Sequence, residues 1–543
     1  MARARGQEIA RLTPPTQSPR TVDLRRHKGR SFSAFQYIEE QFPVATGRDG
    51  ISLRRLFSQA RNRDAKTLIV EQIEAVGAVA DENAEIAAMF PTHEPRDLLR
   101  YTFWNEVVRK QDLDHLNSEG LIGYAILKRD CVKETRHDKW HVFESVFQKP
   151  RHTFIPCAKT FNVRAANSRL EIRGMLYCEQ NGLNKACAQV AIRTLAASGA
   201  NEEPFFSAIN KCSADYHMKH PDMFEENEFS PRAGLHPPQI AEALRKFGYA
   251  CDDIDYEQED DADKKALPFH RYLYAGLESG AGALVGFKYG RTRKGGLKHI
   301  MPVFGHTFGQ DAWVPRSEAA YFHVGEAKYI PSDAWLGSFV CHDDRFGSNY
   351  CFPRFYIDKK TVSYVSALIP PSAKHSSLIA EAYGIQSLNT LAKLLKRRSR
   401  KNTNPWTRRL LAFRSENQVV LRALPITPAD YIEHLKSSED WEFKRENPNI
   451  CDGLRYFITQ ARRASALWMV EVSVPELFPT NQRKLGEILL DAGVTVTAKN
   501  AKSPPFLLAR LVGNYYLPTS AAGGYLEVQS QLRSHTPIYR TDS

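Results

Sequence analysis

The stretch YCEQNGLNKACAQVAIRTLA, Tyr177 to Ala196, decides how the chain is read. A polar, glycine-containing run comes first, and a helix pattern then opens directly on Cys187. Val190, Ile192 and Leu195, with the small Ala188, Ala191 and Ala196, allow that helix to be buried. A thiol attacks an acyl carbon as its thiolate, and a helix N-terminus places about half a positive charge beside it. Cys187 therefore has two readings: a nucleophile at a helix start, or a small apolar residue in a core. In the first reading its own backbone N–H faces a developing oxyanion. A polar side chain just upstream then supplies the second donor, Gln180 or, in its place, Asn184.

The base must return from a distant segment. KHIMPVFGH offers His299 at the start of an apolar strand, and FGHTFG offers His306 as the rival base, a residue whose ring nitrogens could instead hold a turn. A third group should orient the imidazole, and GQDAW sets Asp311 beyond a short turn, from which an adjacent antiparallel strand would bring it back. Cys178 competes as nucleophile only if the helix starts earlier, which Gly182 argues against. Cys157 and Cys212 are expected to be buried structural thiols. CHDDRFG, residues 341–347, groups His342, Asp343 and Asp344. These types bind metals, yet neighbours on a strand point to opposite faces, so the run reads as a structural loop or substrate-binding rim rather than a metal site.

Gln180, Cys187 on a helix, GLHPPQIAEALRKFGY, HIMPVFG and DAW occur in an order that resembles the papain-like cysteine peptidases, and in particular the bacterial peptidases that process bacteriocin leaders. The likeness spans roughly Arg173 to Pro315. It implies an α+β fold with a cysteine-bearing helix packed on an antiparallel sheet. It also implies Cys187 as nucleophile, His299 as base, Gln180 as oxyanion donor and Asp311 as orienting residue, with Glu318 in its place under a different register. The expected chemistry is hydrolysis of a peptide or isopeptide bond through a thioester, or acyl transfer if an amine outcompetes water.

The 543 residues suggest several units. They read as a basic arm (1–50), an N-terminal α+β unit (51–165), the papain-like domain (166–360), a basic connection (361–410) and a C-terminal α+β unit (411–543). Within these, AGLHPPQIAEALRKFGY and TPADYIEHL predict helices, ALWMVEVSV a strand, and NQRKLGEILLDAG a helix closed by Gly493. Asp252 to Asp263 reads as a solvated acidic loop. The 42% hydrophobic and 25% charged composition is that of a folded protein. No run is apolar enough to cross a membrane and no leader pattern opens the chain, so a cytoplasmic location is expected. Nine cysteines without a CxxC pair suggest neither zinc ribbon nor disulfide scaffold, and no cofactor or metal is called for. The net charge of +12 admits an anionic partner. The alternative function is an inactive papain-like module that binds nucleic acid or protein. It would use Lys396, Arg397, Arg398, Arg400 and Lys401, with Trp406, Arg408 and Arg409 beside them.

Overall fold

The computed structural model describes residues 10–27, 29–42, 50–151, 153–184, 186–199, 204–224, 228–232, 234–256, 267–289, 297–309, 318–319, 327–344, 346–357, 361–398, 405–436, 457–479, 482–496, 503–511, 514–518, 525–529 and 538–539. It is α+β, and three antiparallel or nearly antiparallel sheets organise it.

The first sheet holds β1 (Arg20–Asp23) and, after helices α1 (Ala34–Gln41) and α2 (Ile51–Arg61), β2 (Thr67–Gln72). Helix α3 (Ala78–Met89) follows, then β3 (His93–Trp104), β4 (Leu121–Val132) and β5 (His137–Phe147), in spatial order β1-β2-β3-β4-β5. Period-two alternation sends successive side chains to two cores. Leu68, Val70 and Val142 meet Tyr37, Leu53 and Phe57 of α1 and α2, whereas Ile69 and Phe143 meet Val79 of α3 and the hairpin β6 (Lys159–Ala165) and β7 (Ser168–Gly174). Part of the span read as a basic arm thus belongs to the fold: β1 pairs with β2, and α1 buries Tyr37 and Ile38.

Helices α4 (Cys187–Gly199), α5 (Phe206–Lys219) and α6 (Pro237–Lys246) come next. The last is the expected GLHPPQ helix, opening on two prolines and closing at Gly248, φ +93°. The second sheet starts with β8 (Ala250–Asp255), so the front of the acidic stretch is a strand; Asp253 accepts a hydrogen bond from Tyr364 and Asp252 one from Ser376. After α7 (Phe269–Glu278) come β9 (Ala283–Tyr289) and β10 (Leu297–Phe308). Two short strands, β11 (Glu318–Ala319) and β12 (Lys328–Pro331), leave for the third sheet before β13 (Leu336–Asp343), β14 (Gly347–Pro353) and β15 (Val362–Ile369) complete the second, in order β8-β15-β9-β10-β13-β14. Leu284, Ile300, Phe304 and Val340 face Ala188, Ala191, Ile192 and Leu195 of α4, while Val285, Met301, Val303 and Phe339 face α7. Gly282, φ +87°, lies under α4, where a Cβ would come within 2.8 Å of Leu195.

The third sheet continues from β11 and β12 into β16 (Val420–Ile426), β17 (Leu467–Ser473), β18 (Gly486–Asp491), β19 (Phe506–Leu511), β20 (Asn514–Pro518) and β21 (Tyr525–Gln529). The span read as a basic connection supplies β15, beside the middle of the second sheet, and α8 (Ser377–Arg398), which packs on the third. Helix α9 (Pro405–Ser415) follows it, and α10 (Pro428–Lys436) is the expected helix, its first turn capped by the Thr427 hydroxyl accepting from the Asp430 N–H. NQRKLGEILLDAG is not a helix: Gly486–Asp491 lies between β17 and β19. A Cβ on Gly486 would sit 2.3 Å from the Arg510 carbonyl, so this glycine admits a neighbouring strand rather than marking a helix. No helix among the described residues is long and apolar enough to cross a membrane.

Candidate active site

Asn181 and Gly182 shape the turn into α4. The Asn181 carboxamide oxygen accepts from the Leu183 N–H at 2.9 Å, and Gly182 takes φ +75°, a conformation disfavoured for residues with a Cβ. The same side chain donates through Nδ2 to Glu82 at 3.1 Å, and the Glu179 carboxylate accepts from the Val142 N–H at 2.7 Å. Gln180 is thus held between Glu179, anchored to β5, and Asn181, anchored to α3. Arg193, fully buried on α4, donates to Glu144 of β5 at 2.8 Å, and Glu144 also accepts from Arg11 and Tyr124. One face of α4 is tied to the first sheet by this charge cluster while another packs on the second by apolar contact. Cys187 begins the helix half-buried, at the edge of that apolar contact.

His299 stands near the start of β10, opposite Phe287 of β9, whose ring meets the imidazole edge-on at 5.5 Å. Strands β10 and β13 run antiparallel with Val303 opposite Cys341, which returns the end of β13 to the start of β10. His299 Nε2 consequently lies 3.1 Å from Asp344 Oδ1 and 3.6 Å from Asp343 Oδ2. Cys187 lies near enough to the same ring to favour its charged form. Burial opposes charge on His299, but Asp343, Asp344 and Cys187 outweigh it and hold the imidazolium up to about 12. Gln180 Nε2 donates to Asp344 Oδ2, so one carboxylate touches both the imidazole and the amide. Asp343 also accepts from the Phe346 N–H at 3.1 Å and closes the β13–β14 turn.

Cys187, His299 and Gln180 are therefore brought together. Asp311 lies outside the described residues. Glu318 falls on β11 in the third sheet, paired with Tyr329, and so does not share the strand pairing of His299. The carboxylates at the imidazole are Asp343 and Asp344, which sequence reasoning had assigned to a loop or rim. The available signal was an acidic pair ending an apolar strand just before a turn. Its antiparallel pairing with the histidine strand was hidden by the insertion that carries β11 and β12.

The rivals have other roles. His306 is fully buried, its Nε2 2.6 Å from Glu278, which in turn accepts from Arg422 at 2.7 Å. Cys178 is buried, and its sulfur accepts from Arg193. Cys157 is buried, as expected, and its thiol is pushed up to about 12 by desolvation; Cys212 is half-buried on α5 and also pushed up by burial. His342 accepts from the Asn349 N–H between Tyr177 and Phe304, and burial lowers it to about 3, leaving a neutral core ring. Asn184 donates its backbone N–H to Asn181 at 3.4 Å within the loop. Of the basic segment, Lys396 is exposed at the end of α8 and Arg397 and Arg398 finish that helix, while Arg400 and Lys401 lie outside the described residues. Trp406 packs on the third-sheet core, Arg408 is exposed and Arg409 pairs with Glu476.

Among the described residues, two groups bring three possible metal ligands together: His299, Asp343 and Asp344, and Glu82, Asp130 and His141. In the second, Lys128 Nζ lies 2.7 Å from Glu82 and 3.2 Å from Asp130, so an ammonium occupies the cation position. In the first, the Gln180 amide donates to Asp344. No family model, curated protein or solved structure matches the chain.

Proposed function

We propose that the chain is a papain-like cysteine hydrolase that cleaves a peptide or isopeptide bond through Cys187. The observation that carries this reading is the placement of the His299 ring against both the thiol at the start of α4 and the Asp343–Asp344 pair. A cysteine-bearing helix packed on an antiparallel sheet supports the fold assignment.

In the mechanism, the His299 imidazolium stabilises the Cys187 thiolate, assisted by the helix N-terminus. The sulfur attacks the carbonyl carbon. As the tetrahedral intermediate collapses, the C–N bond breaks and His299 passes its proton to the departing amine. The neutral ring then takes a proton from water as that water attacks the thioester, releasing the acid and restoring the ion pair. Asp344 and Asp343 orient the ring and favour its charged form. Gln180 serves the oxyanion by exchanging its hydrogen bond to Asp344 for one to the substrate oxygen, alongside the Cys187 N–H. An amine in place of water gives transamidation by the same steps.

The alternative of an inactive binding module has less support, because Trp406, the stacking group of its basic segment, packs against the core. The test is the pH dependence of iodoacetamide labelling at Cys187, read by peptide mass spectrometry in wild type and His299→Ala. Labelling well below pH 8 that slows by about 100-fold in the variant is expected. Equal rates in the two proteins, or labelling only on unfolding, would remove the hydrolase reading.

A further inference from the structure

A separate cavity of about 690 Å3 opens between α2, the end of β5 and β14. Arg55, Arg63, Lys66, Lys149 and Arg151 line it, and among the described residues Asp64 is the one carboxylate in its wall. Arg55 and Arg63 are partly buried and held by neutral groups. Arg55 donates to the Ser348 and Asn349 carbonyls at 3.0 and 2.6 Å, and Arg63 to the Gln148 carbonyl and, at 2.6 Å, to Gln59 Oε1. Carbonyl oxygens aim a guanidinium without neutralising it. Among the described residues none of the five cations forms an ion pair, unlike Arg11, Arg100, Arg193, Arg271 and Arg422, which are all buried against carboxylates. Desolvation first, and repulsion from Arg55 second, lower Arg63 to about 10.

We infer that this cavity binds a phosphate-bearing small molecule of about nucleotide size. Guanidinium forks match phosphate oxygens, and a dianion would relieve the repulsion that the pocket now contains. The volume lies within the range of small-ligand sites, about 300–1,000 Å3. The five cations line one concavity. This inference stands independently of the cysteine chemistry.

The test is isothermal titration of the full chain with pyrophosphate and, separately, ATP, in wild type and in the double variant Lys149→Gln/Arg151→Gln. Both residues are exposed and lie outside the described cores, so the fold should persist, which circular dichroism checks. Saturable one-to-one binding of either probe, weakened about 10-fold in the variant and weakened further by salt, is the expected result. No binding of either probe would overturn the inference, as would equal affinity in the variant. So would binding confined to a single-stranded oligonucleotide, which would make the region a nucleic-acid surface instead.

Discussion

Two buried clusters have nearly the same ingredients, a histidine and two carboxylates, yet differ in what fills the centre. Around His141, Glu82 and Asp130 the centre is the Lys128 ammonium, and His93 closes the set at 2.7 Å from Asp130. Around His299, Asp343 and Asp344 it is a half-buried thiol and a carboxamide. The first is neutralised internally and shielded from solvent. The second keeps a thiol that is only half-buried. The clusters meet through Asn181, which donates to Glu82 and shapes the turn leading to Cys187, so the first cluster helps to position the loop before the second.

The largest effect expected is from Lys128→Met. Removing the ammonium leaves Glu82 and Asp130 buried without their cation, which should cost about 3–5 kcal/mol of stability in urea unfolding. Thiol labelling should slow as well, because the loop before Cys187 loses its anchor. An unchanged unfolding midpoint would make the cluster incidental. Asp344→Asn should behave in the opposite way: a melting temperature within a few degrees of wild type, but labelling of Cys187 at pH 6 slower by about 10-fold as the imidazolium loses a carboxylate. If Asp343→Asn shows the larger loss, orientation of the ring belongs to that residue instead.

A smaller effect concerns Glu179, whose carboxyl is raised to about 7 by burial, partly offset by the Val142 N–H. Because its folded value lies above the ordinary 4.5, its contribution to stability is complete below about pH 4.5 and falls as pH rises toward 7. Glu179→Gln should therefore flatten the stability profile between those values by about 1–3 kcal/mol. His342, lowered to about 3, acts in the other direction: its contribution is complete above about pH 6.5 and declines below it. His342→Phe should weaken that acid-side decline, measured as the slope of the unfolding midpoint between pH 6 and 4.

Local signals made much of this legible. The start of α4 at Cys187, the prolines opening α6 and the Thr427 cap are written in short patterns, and the structure has elements there. Non-local pairing was not legible. Asp343 and Asp344 reach His299 only because β13 returns antiparallel to β10 across an insertion that joins another sheet, and no spacing in the chain encodes that detour. The Gly486 strand was misread for a related reason. NQRKLGEILLDAG has helix-compatible composition, and only the flanking strands β17 and β19 decide its conformation.

The hydrogen bond between Gln180 and Asp344 has a kinetic consequence for the proposed reaction. A carboxylate already occupies the amide that would hold the product acid, so the resting site carries its own tethered competitor. The cleaved acid must displace a group present at high effective concentration, whereas the oxyanion, with fuller charge on one oxygen, competes better. Turnover should therefore be limited little by product release, and added carboxylic acids should be poor inhibitors until Asp344 is removed.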